Sequence, residues 1–118
     1  VRYNYIADVR NGFGALYPDL YSNYWEFTGN VCDMSAVPYW DDLFGERVEA
    51  RWLHVHSSII KDNIFRDNYA TTQNSLFKGG NSIYEAPVLY NPEAPSQSVT
   101  YIIDNAGILP KYCLGSKS

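Results

Sequence analysis

Apolar and polar residues alternate in short runs along most of this chain, and turn residues interrupt the runs at close intervals. Over the first forty positions the pattern predicts strands at 3–9 and 24–31. They are separated by Asn11-Gly12, Gly14, Pro18-Asp19 and Gly29-Asn30. Pro18 followed by Asp19 suits the first turn of a short helix. Between 41 and 68 two periods compete. Phe44, Val48, Trp52, Val55 and Ile59 share one helical face, whereas Val48, Ala50 and Trp52 alternate with Arg47, Glu49 and Arg51. Ser57-Ser58-Ile59-Ile60 fits a strand better than a helix interior, so a strand over 48–60 is expected.

The last third has the most regular pattern. Ser75-Leu76-Phe77, the turn Lys78-Gly79-Gly80-Asn81 and the segment 82–85 read as a hairpin, because paired glycines supply positive φ. A proline-bounded loop follows at 91–97. Val99, Tyr101 and Ile103 alternate with Thr100 and Ile102, which predicts a strand over 98–104; Asn105-Ala106-Gly107 then turns into a strand over 108–114. Successive hairpins make a meander, and such a sheet must close or be covered. The expected fold is therefore mainly β: a single antiparallel β-barrel or sandwich over 1–118, with room for one short helix. Pro87 and Pro110 belong at bulges or edges. No internal repeat stands out.

Composition supports sheet. Eleven Tyr, five Phe and three Trp bring the aromatic fraction to 16%, and rings suit a pleated surface. The net charge is −4 and the basic residues lie singly, so no stretch is suited to a run of phosphates or to an acidic membrane surface. Nucleic acid and membrane are excluded as expected partners. The chain starts at Val1 without an apolar leader, the form of a processed protein or equally of a domain cut from a larger chain, and a secreted, extracellular location is expected. Cys32 and Cys113 lack metal-type spacing. They read either as a disulfide, worth roughly 4–5 kcal/mol for a loop of that size, or as two buried thiols. The disulfide is favoured.

His54-Val55-His56 is the sharpest chemical feature. On a strand, positions i and i+2 point the same way, so two imidazoles would lie side by side as in a strand-borne metal site. A third ligand would have to come from Glu49, Asp62, Asp67 or Glu85. No Gly-x-Ser-x-Gly elbow and no phosphate-cradling loop is present, and Asp41-Asp42 suit a helix N-terminus better than a glycosidase pair. No cofactor is implied, and catalysis is not the favoured reading.

Tyr17, Tyr21, Tyr24, Trp25, Phe27, Tyr39 and Trp40 crowd one third of the chain. Such side chains fill small cores, line ligand pockets, form sugar platforms and make interfaces. The stretch 98–104, with Tyr101 and Asp104, followed by 108–114 with Tyr112-Cys113, resembles the late strands of a lipocalin barrel. The resemblance spans the last forty residues; it implies an antiparallel barrel that holds an apolar ligand and places no ligand residue.

The function expected from these readings is non-catalytic binding of a small apolar or aromatic molecule, with Trp25, Phe27, Trp52, Phe77, Tyr84 and Tyr101 lining the pocket. Two other readings stand beside it. One is an extracellular assembly subunit, a homo-oligomer burying its tyrosines between copies. The other is a metal-dependent enzyme using His54 and His56.

Overall fold

The structure is a computed structural model that describes residues 1–41 and 44–106. It contains eleven short strands: β1 (Tyr5–Ala7), β2 (Glu26–Thr28), β3 (Val31–Asp33), β4 (Tyr39–Asp41), β5 (Arg47–Glu49), β6 (Leu53–Val55), β7 (Ile64–Arg66), β8 (Tyr69–Ala70), β9 (Ser75–Phe77), β10 (Ile83–Tyr84) and β11 (Val88–Leu89). One helix, α1 (Gln97–Asn105), follows. The fold is mainly β, as the alternation predicts.

The strands form three parallel sheets. The first has the order β1-β3-β8-β11, the second β2-β7-β10, and the third pairs β6 with β9. Isolated parallel bridges extend two of them: Arg2 to Thr28 in the second sheet and Leu16 to Leu53 in the third. In chain order the backbone visits the second, first and third sheets cyclically, so it winds as a three-sided parallel coil. An antiparallel barrel is not what these strands form. Among the described residues only β4 and β5 pair antiparallel, as a hairpin that follows β3 and precedes β6.

Three expectations change for local reasons. Segment 75–77 and, within 82–85, Ile83–Tyr84 are strands, but each pairs with the coil below it, β9 with β6 and β10 with β7, instead of with the other. Gly79-Gly80 therefore turns a corner without reversing the chain. A Cβ on Gly80 would lie 2.8 Å from the Ser58 carbonyl oxygen, so glycine serves there for the close approach of two coils. The strand expected over 48–60 is two strands, β5 and β6, which belong to the hairpin and to the coil respectively. The stretch 98–104 is helical: the Ser96 hydroxyl accepts from the Val99 N–H, and Val99, Ile102 and Ile103 make a 3.6-period face against Val31, Tyr69 and Tyr90. Tyr101, which completes the apparent alternation, points into water. No helix forms after Pro18. The strand expected over 108–114, and Pro110 with it, lies outside the described residues.

The inside of the coil is filled by stacked rows. Phe27, Phe65 and Tyr84 occupy one register position in the second sheet, and Ile6, Cys32 and Ala70 another in the first, with Leu89 half-exposed in register with them on the edge strand β11. The Phe27 and Phe65 rings stack at 4.9 Å, Phe77 meets Phe65 edge-on at 5.7 Å, and Phe77 stacks on Tyr84 at 4.6 Å.

The corner between the second and first sheets is held by an asparagine ladder. Asn30 Oδ1 accepts from the Asn4 backbone and side-chain N–H groups, and Asn68 Oδ1 accepts from those of Asn30. Asn68 Nδ2 donates to the Phe27 carbonyl. At each rung the preceding residue takes positive φ: Tyr3, Gly29 and Asp67. Cys32 is a buried free thiol whose pKa burial raises to about 12. Cys113, its expected disulfide partner, lies outside the described residues.

Candidate functional site

The outer face of the third sheet carries the site. In β6, Leu53 and Val55 turn into the core, and the intervening His54 turns outward beside Leu76 of β9. Below it, the corner 11–14 is shaped by Asn11, whose Oδ1 accepts the N–H groups of Phe13 and Gly14 and so closes a tight turn. The β4–β5 hairpin stands over this face as an arm. Between arm, corner and sheet lies an open groove of about 360 Å³, lined by Asn11, Gly12, Phe13, Trp40, Asp41, Phe44, Arg51 and His54. Arm and corner sit close: a Cβ on Gly12 would come within 3.3 Å of the Trp40 ring.

A run of rings continues from the groove. Phe13 and Tyr17 stack with centroids 5.0 Å apart and planes 7° off parallel. Tyr17 presents an edge contact to His54 at 5.0 Å and to His56 at 6.0 Å. A second cavity, of about 220 Å³, begins on Tyr17 and is lined further by Val1, Pro18, Ser22, Trp25 and Phe27.

The groove holds opposite charges with different partners. Arg51 donates to the Gly12 carbonyl oxygen at 3.4 Å and meets no carboxylate among the described residues. Asp41 faces Arg47 at 4.0 Å, an exposed contact worth little, and Arg47 lies over the Tyr39 ring. The two imidazoles lie side by side as the spacing predicts, their centroids 5.7 Å apart. The Nδ1 atoms of both are buried with no hydrogen-bond partner among the described residues. The metal expectation lacks its third member: no group of three or more His, Cys, Asp or Glu is placed to hold an ion among the described residues.

His54 titrates below the ordinary histidine range. Burial is the first cause, the Arg51 guanidinium and His56 add to it, and Asp19 opposes them. The folded state thus favours the neutral ring, and its full contribution is present above pH about 6.5, where the unfolded chain is also neutral. As pH falls below that value the unfolded chain takes up the proton first and stability declines. Urea denaturation between pH 8 and 5 is expected to show this loss, reduced in His54→Phe. An identical pH slope in the variant would assign the dependence to other groups.

The structure scatters the six expected pocket residues. Trp52, Phe77 and Tyr84 pack within the coil, Trp52 fully buried and 6.2 Å from the Tyr84 ring. Phe27 belongs to the same stack and reaches the second cavity, where Trp25 joins it. Tyr101 is 70% exposed on α1. Asn11, Phe13 and Arg51 were not expected at a site. Asn11-Gly12-Phe13 reads as a turn, and nothing local signals that the turn sits beneath a hairpin arm nearly thirty residues further along.

No family model, curated protein or solved structure matches this chain. Its coil, arm and groove therefore have to speak for themselves. Among the described residues, no helix is long and apolar enough to cross a membrane.

Proposed function

We propose that the protein binds a small molecule with a flat apolar ring face, without chemical conversion, in the groove beneath the β4–β5 arm. The observation that carries this reading is the convergence of Phe13 and Trp40 with Asn11, Asp41 and Arg51 around one open cavity. Aromatic walls with a few polar groups at the rim are what a ring ligand needs: the rings take up its face and the polar groups orient its edge. The interior of the coil is occupied by its own side chains, which moves the ligand from the inside of a barrel to the outside of a solid coil.

Tryptophan fluorescence tests the reading directly. Trp40 lines the groove and the half-exposed Trp25 the second cavity, whereas Trp52 is sealed in the core; a response retained in Trp25→Ala therefore belongs to the groove. Titration with a panel of small aromatic and alicyclic compounds is expected to give saturable quenching with at least one of them. Trp40→Ala is expected to weaken that compound roughly tenfold or more, about 1.4 kcal/mol. Absence of saturable change across the panel, or unaltered affinity in Trp40→Ala, would remove the groove as the site.

A further inference from the structure

Resting on the groove as the binding site, we propose that its ligand is a linear oligosaccharide whose successive rings occupy both cavities of one aromatic track. The two cavities adjoin at one pair of stacked rings. Phe13 lines the first, Tyr17 lines the second, and these two rings are stacked at 5.0 Å. Each cavity also has its own tryptophan, Trp40 in the first and Trp25 in the second. Aromatic surface is thus repeated from one cavity to the next, which matches a ligand that repeats a ring.

The chemistry of the track selects the class. Both cavities are partly open to solvent, so a wholly apolar ligand would keep much of its surface in water and gain little from burial. A sugar ring is apolar on its C–H face and carries hydroxyls around its edge. The face suits Phe13, Trp40 and Trp25, and the edge suits the polar groups at hand: Asn11 and Arg51 in the first cavity and Ser22 in the second. A chain engaging both cavities gains from linkage, because its second contact is intramolecular once the first is made.

The test uses the whole chain and linear β-1,4-linked oligosaccharides of glucose, xylose and N-acetylglucosamine, from one to six units, titrated by calorimetry and by tryptophan fluorescence. For at least one series, affinity is expected to rise roughly tenfold or more with length and then level off once both cavities are spanned. Trp25→Ala is expected to abolish the gain with length and leave small-ring binding at Trp40 unchanged, while Trp25→Phe retains most of it. Circular dichroism confirms folding of each variant. Small rings that bind with no length dependence in any sugar series would overturn the track and leave the groove intact. A proline-rich peptide that occupies both cavities while no sugar binds would keep the track and overturn the oligosaccharide. Failure of every sugar and every small ring would overturn both readings together.

Discussion

Asn68→Ala is expected to destabilise the protein by about 3–5 kcal/mol, measured by urea denaturation at neutral pH. The side chain is buried and works in two directions. Its Oδ1 accepts the Asn30 N–H at 3.0 Å and the Asn30 Nδ2 at 3.1 Å, and its Nδ2 donates to the Phe27 carbonyl at 3.0 Å. Removal leaves buried groups of two coils unpaired, and each such group costs about 1–3 kcal/mol. Against a total stability of roughly 5–15 kcal/mol for a small domain, that is a large share. Asn4→Ala, at the outer end of the same ladder, donates to Asn30 Oδ1 from an exposed position and is expected to cost about 1 kcal/mol. Equal effects at Asn4 and Asn68 would show that the ladder does not transmit burial from coil to coil.

Phe65→Ala is the second large effect, again about 3–5 kcal/mol. Phe65 is fully buried and central to the ring stack: Phe27 lies on one side at 4.9 Å, with Phe77 edge-on at 5.7 Å and Tyr84 at 6.4 Å. Truncation opens a void that neighbours pinned by parallel backbone pairing are poorly placed to fill. Phe65→Leu keeps most of the volume and is expected to cost about 1–2 kcal/mol. Thermal or urea denaturation of the pair checks both. A loss below about 1 kcal/mol for the alanine variant would mean that the rings are not close-packed.

Strand content was legible in the sequence because it depends on neighbours i and i+2; pairing was not, because it depends on coils far apart in the chain. The repeat that defines the coil is present, but in fragments. Glu26-Phe27-Thr28-Gly29-Asn30-Val31-Cys32 and Ile64-Phe65-Arg66-Asp67-Asn68-Tyr69-Ala70 share a Phe, a left-handed residue, an Asn and a small inward residue. Thirty-eight residues separate them, whereas Asn4 precedes Asn30 by twenty-six and Ile64 precedes Ile83 by nineteen. Uneven spacing hides a period. At the site, the parallel projection of His54 and His56 was readable from their spacing alone. The groove was not, since Asn11, Trp40 and Arg51 meet only through the winding of the coil. The 98–104 stretch misled because Val-Thr-Tyr-Ile-Ile has strand propensity throughout, while the Ser96 cap and the apolar strip at Val99, Ile102 and Ile103 favour a helix.

The longest turn of the coil owes its extra length to the β4–β5 arm, which leaves after β3 and returns before β6. Its strands pair with each other and not with the stacked core, so exposed strand positions such as Tyr39 and Arg47 can be exchanged or recharged at little cost to the ladder or the rings. For the binding role proposed above, selectivity and foldability thereby fall to separate stretches of polypeptide, and grafting a different loop onto the arm becomes a practical route to retargeting it.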